Sequence, residues 1–112
     1  EGELRELEGR MDLRDRVRER LLKDRGAMPD CERVARDLHT TERTLRRHLA
    51  ALGTSFHEIV QTTRKELAIH YLKDTELPVG EIAERLGYSD PSNFGAAFRA
   101  WTGSSPRAYR KR

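Results

Sequence analysis

The chain has 112 residues, of which 36% are hydrophobic and 37% charged, and its formal net charge is +3. This length allows one domain or two small lobes and excludes a barrel or a Rossmann enzyme. No apolar run approaches the ~18–20 residues that a membrane span needs, and the single cysteine, Cys31, excludes an intramolecular disulfide. The composition therefore predicts a charge-rich cytoplasmic protein with no membrane partner.

The N-terminal part of the chain predicts a linker followed by two helices. Residues 1–11 are rich in glutamate and contain two glycines, which is typical of a linker from an upstream region. Asp12 is expected to cap a first helix that ends at Gly26, and Asp30 a second helix that runs through Leu38. Carboxylates favour these positions because they accept hydrogen bonds from the first free amides of a helix.

The middle of the chain predicts two further helices, the second of them long. Thr41 is expected to cap a helix that runs to Gly53. Ser55 and Glu58 have the spacing of a capping box, in which the hydroxyl and the carboxylate each bind the other residue's backbone amide. The helix that begins there is expected to span 55–73, roughly 28 Å at 1.5 Å per residue.

The C-terminal part predicts three shorter helices. One is expected over 79–86, ended by Gly87, and Asp90 and Ser105 each precede a proline at a first helical position. No stretch of the chain alternates apolar and polar residues with the two-residue period of a strand. The chain is therefore predicted to be all-α, with about seven helices and no sheet.

An internal repeat links the two halves of the chain. The sequence Val34-Ala-Arg-Asp-Leu38 returns as Ile82-Ala-Glu-Arg-Leu86. Each copy is followed by two apolar residues and a glycine at similar spacing, namely Leu45, Leu49 and Gly53 in the first copy and Phe94, Phe98 and Gly103 in the second. Two copies of a short helix, a turn and a second helix predict two helix-turn-helix motifs.

The helix-turn-helix geometry assigns a role to several repeated positions. Leu38 and Leu45 are expected to fill the angle between the first pair of helices, and Leu86 and Phe94 have the same role in the second pair. Gly87 suits a left-handed turn between the helices. His39 occupies the corresponding position in the first motif and is expected to form a less favourable turn.

These residues resemble the AraC/XylS family of transcription regulators over about residues 12–110. The most specific part is Ile82-Ala-Glu-Arg-Leu-Gly-Tyr-Ser-Asp90, followed by Phe94, Phe98, Trp101-Thr-Gly103, Ser105-Pro106 and Tyr109-Arg110. The first half contributes Arg43-Thr-Leu-Arg-Arg47, Gly53-Thr-Ser-Phe56, Arg64 and Ala68.

The resemblance implies a DNA-binding domain over 12–112, with homeodomain-like lobes at 12–53 and 76–110 joined by the linker helix 55–73. It implies a sequence-specific regulator, an activator, whose partners are double-stranded DNA and RNA polymerase. A linker of this length can hold two recognition helices near the ~34 Å that separates successive major-groove faces. An upstream domain would sense a small molecule and dimerise, so this piece is expected to be monomeric and the full-length protein dimeric.

The resemblance also places DNA-contacting residues on the first recognition helix. Arg43, Arg46 and Arg47 fall at base-reading positions, and Thr41 and Thr44 lie near the DNA backbone. Independently of the family, positions 43, 46, 47 and 50 share the helical face opposite Leu45, Leu49 and Leu52. Arginine is also the commonest specific partner of guanine.

The second recognition helix departs from the family pattern. Ala96 stands where the family commonly carries an arginine, and Gly95 precedes it. Ser92 and Asn93 remain as groove-facing candidates, and Arg99 is expected to hold phosphate. Base specificity is therefore predicted to be concentrated in the first lobe. Two further phosphate candidates are Arg107 and Arg110, the latter with the alternative of a structural role at the end of the last helix.

Other classes of function find little support in the sequence. No acid/base or nucleophile set predicts an enzyme, and no motif predicts a cofactor or metal. Cys31 is expected to be an inert thiol because it lies between Asp30 and Glu32, with no cationic neighbour in the sequence. The alternative to a DNA-binding regulator is a helical protein-interaction module or anti-activator that has lost DNA binding, and the three arginines of the first recognition helix favour DNA.

Overall fold

A computed structural model describes residues 11–23 and 28–112. Every regular element in these ranges is an α-helix, which confirms the predicted all-α class and helix number. The helices are α1 (Leu13–Lys23), α2 (Cys31–Asp37), α3 (Glu42–Ala51), α4 (Phe56–Asp74), α5 (Val79–Arg85), α6 (Pro91–Thr102) and α7 (Pro106–Lys111). Nearly all of the predicted linker and the predicted helix end at Gly26 lie outside the described residues. None of the seven helices is both long and apolar enough to cross a membrane.

The predicted N-caps form hydrogen bonds of ordinary length. The side chains of Asp30, Thr41, Asp90 and Ser105 accept from the backbone amides of Arg33, Thr44, Ser92 and Ala108, at 2.9, 3.2, 2.8 and 3.1 Å. Helix α1 begins with a reciprocal pair, in which the Asp15 amide donates to Asp12 Oδ1 at 3.3 Å and the Asp12 amide to Asp15 Oδ2 at 3.2 Å. Short polar side chains thus define where these helices start.

The capping box predicted for α4 is only half correct. Ser55 Oγ accepts from the Glu58 amide at 3.1 Å, as the spacing predicts. The Glu58 carboxylate, however, accepts from Thr54 Oγ1 at 3.0 Å, so a neighbouring hydroxyl takes the place of the Ser55 amide. The Thr54 hydroxyl thus competes with the Ser55 amide as a donor to the Glu58 carboxylate.

The described residues form two compact units, the first made of 11–23 and 29–61 and the second of Met28 and 62–112, so α4 begins in the first and continues in the second. In the first unit, α1, α2 and α3 pack against one another. Its buried side chains are Val17, Leu21, Cys31, Val34, Ala35, Leu45, Leu49, Phe56, Ile59 and Val60. Of the two residues predicted to fill the angle between the first pair of helices, Leu45 is fully buried and Leu38 is partly buried.

The second unit has a more aromatic core. Ala68 and Leu72 of α4 cluster with Ile82, Ala83, Leu86, Phe94 and Phe98. The Phe98 ring lies 5.8 Å from the Phe94 centroid, 6.2 Å from that of Trp101 and 5.2 Å from that of Tyr109. Leu86, unlike its counterpart Leu38, is fully buried, because Tyr88 and Phe94 replace the smaller Thr40 and Leu45 of the first repeat.

The turns of the two helix-turn-helix motifs share one hydrogen-bond pattern. In the first, the amide of His39 donates to Arg36 O at 3.0 Å and that of Thr40 to Ala35 O at 2.9 Å. In the second, the amide of Gly87 donates to Glu84 O and that of Tyr88 to Ala83 O, both at 3.0 Å. This pairing is the Schellman C-cap of a helix, so each motif directs its recognition helix with the same local geometry.

Candidate nucleic-acid interface

Helix α3 has one buried face and one exposed, cationic face. Leu45 and Leu49 are completely buried, whereas Arg43, Arg46 and Arg47 are exposed to solvent. The 3.6-residue helical period separates the two sets, since residues three and four apart share a face. The structure thus presents the three arginines away from the protein core, where an external partner can reach them.

Leu52 does not join the buried face with which the sequence analysis grouped it. Its side chain is 37% exposed. Helix α3 ends at Ala51, and Gly53 follows with a left-handed φ of 81°. The Leu52 amide still donates to His48 O at 3.2 Å, so Leu52 keeps its helical position as the C-cap of α3. It is exposed because it lies at the very end of the helix, where the chain turns away at Gly53.

The two predicted threonines form a local network at the start of α3. Thr41 Oγ1 accepts from the Thr44 amide at 3.2 Å and donates to Thr44 Oγ1 at 3.0 Å. Both hydroxyls are thereby held at the helix N-terminus. This arrangement puts two fixed polar groups beside the exposed arginines.

Arg46 has an acidic partner that the sequence analysis did not assign to the site. Its Nε and Nη2 atoms both donate to Glu42 Oε2, at 3.1 and 3.0 Å. The hydrogen bond to Glu42 raises the pKa of the guanidinium, so Arg46 stays charged. Within the described part of the chain, the side chains of Arg43 and Arg47 form no ion pair and no hydrogen bond. The i,i+4 spacing of Glu42 and Arg46 is the signal that could have revealed the pair.

Cys31 lies behind this face as a buried thiol, 5% exposed. Burial raises its pKa, while the positive charge of Arg46 acts in the opposite direction. The thiol was predicted to be inert because Cys31 has no cationic neighbour in the sequence, but Arg46, which is distant in the sequence, is a neighbour in space. Desolvation outweighs that cation and keeps the sulfur protonated.

Helix α6 presents fewer functional groups than α3. Ser92 and Asn93 are exposed in its first turn, above the buried Phe94 and Phe98. Ala96 is also exposed, and a Cβ placed on Gly95 would meet no atom of the described residues within 4 Å. Packing among those residues therefore does not require glycine at position 95.

The predicted phosphate-binding residues separate into two groups. Arg99 is exposed near the end of α6, seven residues after Ser92 and so two helical turns along the same face. Arg110 instead donates to three backbone carbonyls at the end of α4, those of Leu72, Tyr71 and Thr75, at 3.0, 3.2 and 3.3 Å. Of the two roles considered for Arg110, these contacts favour the structural one.

Comparison with known proteins identifies the domain. A family model described as a helix-turn-helix domain matches residues 34–112, which include most of the first motif, the arginine face and all of the second motif. The chain belongs to the AraC/XylS family of transcription regulators. This family is a class of DNA-binding regulators, not of enzymes, and the present AraC/XylS chain carries its DNA-binding domain.

Curated relatives of this AraC/XylS chain are longer proteins. The ornithine utilization regulator of Pseudomonas aeruginosa is 52% identical over 99 residues, which are 88% of this chain and 29% of that protein. The urease operon transcriptional activator of Escherichia coli is 34% identical over 77 residues, 69% of this chain and 26% of that protein. The chain thus spans less than a third of the length of these relatives.

One solved structure of this fold contains nucleic acid. The DNA-binding domain of AdpA, described as a global transcriptional factor in complex with a target DNA, superposes with a TM-score of 0.73 and 29% identity. The match covers 90% of this chain and 92% of that domain. The AraC/XylS fold and its DNA-binding class are therefore supported both by sequence and by structure.

Proposed function

We propose that this domain reads a specific duplex sequence mainly through α3 and uses α6 chiefly to hold the DNA backbone. The observation that carries the proposal is the exposed face of Arg43, Arg46 and Arg47 opposite the buried Leu45 and Leu49. A guanidinium can donate two parallel hydrogen bonds to guanine O6 and N7 in the major groove. Three such groups on one helix provide base recognition that general charge attraction does not.

The remaining residues of α3 have a supporting role in this proposal. Thr41 and Thr44 lie at the helix start, where hydroxyls and backbone amides commonly contact phosphate. Phosphate contacts fix the register of a protein on the duplex without reading its sequence. The threonines would thus orient the helix so that the arginines meet the base edges.

We propose that the second lobe recognises bases more weakly than the first. Asn93 can bind an adenine edge, and Ser92 and Arg99, which share a face of α6, can bind phosphate. Gly95 has no side chain and Ala96 has a short one, so no long polar group lies between Asn93 and Arg99 in the sequence of α6. We expect this half-site to tolerate base changes.

We infer the wider role from the relatives. One of them is named a urease operon transcriptional activator, which supports activation of transcription. We propose RNA polymerase as the partner in that activation. The proposal includes no catalytic step and no cofactor. It places this domain in the cytoplasm, monomeric by itself, within a longer protein that dimerises through another domain.

A binding-site scan tests the function. The chain is first used to select duplexes from a random pool, and every base pair of the selected site is then changed in turn. Arg46→Ala should abolish the preference at one or two positions, since a bidentate base contact contributes ~1–3 kcal/mol of discrimination. Asn93→Ala should mostly reduce affinity, by less than Arg46→Ala, and should change base preference only weakly.

Two outcomes would overturn the proposal. A chain that selects no sequence above random duplex would support the alternative of a protein-interaction module. Equal or larger losses under the second lobe would show that α6 is the main reader. Footprinting at saturation adds a third check, because binding through both motifs should protect two successive major grooves for each chain.

A further inference from the structure

Glu42 is the only acidic residue of α3 and lies on the helix that carries the three arginines. A carboxylate facing DNA is repelled by the phosphates, so an acid at this place opposes non-specific binding. Its side chain is 41% exposed and that of Arg46 is 56% exposed. An exposed i,i+4 ion pair stabilises a helix only slightly, which leaves the contribution of Glu42 to fold stability small.

The geometry of the pair suggests what Glu42 does instead. Arg46 uses its Nε and Nη2 hydrogens on one oxygen, Glu42 Oε2. A guanidinium has five N–H donors in a rigid planar fork. The edge formed by Nη1 and the second Nη2 hydrogen therefore remains available, and it has the two-point geometry that guanine O6 and N7 require. The ion pair can persist while Arg46 binds a base.

We propose that Glu42 is a specificity-determining residue: it holds the Nε–Nη2 edge of Arg46, so that the edge formed by Nη1 and Nη2 faces guanine. Arg43 and Arg47 have no such partner among the described residues, so Arg46 is the oriented reader of the three. The inference rests on the proposed function and deepens it at one base pair.

A double-mutant cycle on a selected duplex tests the inference. Arg46→Ala first identifies the base pair that Arg46 reads. At that base pair Glu42→Ala should reduce discrimination roughly 2- to 10-fold, while affinity for unrelated duplex rises because a negative charge is removed. In the Arg46→Ala background, Glu42→Ala should leave discrimination at that base pair unchanged, because Glu42 acts through Arg46.

Two further variants separate orientation from charge and from folding. Glu42→Gln removes the charge but keeps an oxygen acceptor for Arg46, so it should retain more discrimination than Glu42→Ala. Glu32→Ala is the matched control, because Glu32 pairs with Arg36 at the same i,i+4 spacing on α2, at 3.2 Å. It should leave base preference unchanged. Helical circular dichroism of each variant checks that α3 still folds.

The inference is overturned if Glu42→Ala discriminates as the unmodified chain does, if its effect persists without Arg46, or if Glu32→Ala reproduces it. Failure of the proposed function looks different. In that case the unmodified chain itself shows no base preference, and no position responds to Arg46→Ala.

Discussion

His39 and Gly87 occupy the same left-handed backbone position in the two helix-turn-helix turns, with φ angles of 61° and 89°. Both turns close with equivalent hydrogen bonds, so the repeat in the sequence corresponds to a repeat in backbone geometry. Glycine adopts this conformation without steric cost, whereas a residue with a Cβ is strained there. The first motif therefore retains a strain that the second avoids.

Replacing His39 with glycine is expected to stabilise the protein. Relief of the left-handed strain gains about 1–2 kcal/mol, and the greater freedom of glycine in the unfolded chain offsets about half of it. The net gain should be about 0.5–1 kcal/mol, measured as a higher urea midpoint at constant m-value. Thr40→Gly is the control, because Thr40 has no positive φ and should only lose stability. A His39→Gly variant no more stable than the parent would contradict the strain argument.

Gly87→Ala is expected to destabilise the protein more than Gly103→Ala. Both positions are left-handed, at φ 89° and 81°, so each substitution introduces strain of about 1–2 kcal/mol. A Cβ at position 87 would also lie 3.2 Å from Arg64 Nη2, whereas one at 103 would meet nothing within 4 Å. When both glycine substitutions are made in an Arg64→Ala background, Gly87→Ala should cost no more stability than Gly103→Ala. Equal losses at the two glycines would rule out a role for Arg64.

Replacing Arg99 should change DNA binding but not stability, whereas replacing Arg110 should change stability but not the salt dependence of DNA binding. Arg99→Ala should lower the slope of log affinity against log salt by about 0.9 while leaving stability unchanged, because one phosphate contact is lost. Arg110→Ala should leave the slope unchanged but cost about 1–3 kcal/mol of stability, since three carbonyls at the end of α4 lose the guanidinium as a donor and, among the described residues, only Tyr71 O keeps a side-chain donor, Thr75 Oγ1. Salt titrations of affinity and urea unfolding measure the two effects. A similar change of slope in both variants would show that Arg110 also binds phosphate.

Cys31 predicts a loss of stability at alkaline pH. Burial raises the pKa of its thiol above the ordinary value of 9.0, so the folded chain keeps its proton at a pH where the unfolded chain releases it. This contribution is present below pH 9 and is lost as the pH rises through the folded-state pKa. A Cys31→Ala variant should lose less stability than the parent between neutral and alkaline pH. Parallel pH profiles would show that the thiol does not contribute.

The sequence predicted the features that depend on neighbouring residues. The caps at Thr41, Asp90 and Ser105 form because a short polar side chain reaches amides only two or three residues away. The outward face of α3 follows from helical periodicity alone. Such signals need no knowledge of the rest of the chain.

Contacts between distant parts of the chain could not be predicted in this way. Arg110 bonds to carbonyls 35 to 39 residues earlier, and only the packed second unit shows which of its two considered roles is realised. The charge of Arg46 acts on Cys31 from another helix for the same reason. The Glu42–Arg46 pair was accessible from its spacing, but the sequence does not show which atoms of the guanidinium it uses.

The open space around Gly95 has an evolutionary consequence. Alanine is favoured over glycine in a helix interior by about 1 kcal/mol, and a Cβ at position 95 would meet no atom of the described residues within 4 Å, so we expect a substitution there to leave α6 stable. In the genetic code a glycine codon becomes an arginine codon by a single nucleotide change. Gly95 aligns with Arg46 in the repeat, so one mutation would give the second helix a long cationic side chain at the equivalent position. Descendants of this regulator could in this way acquire new promoters while retaining their fold.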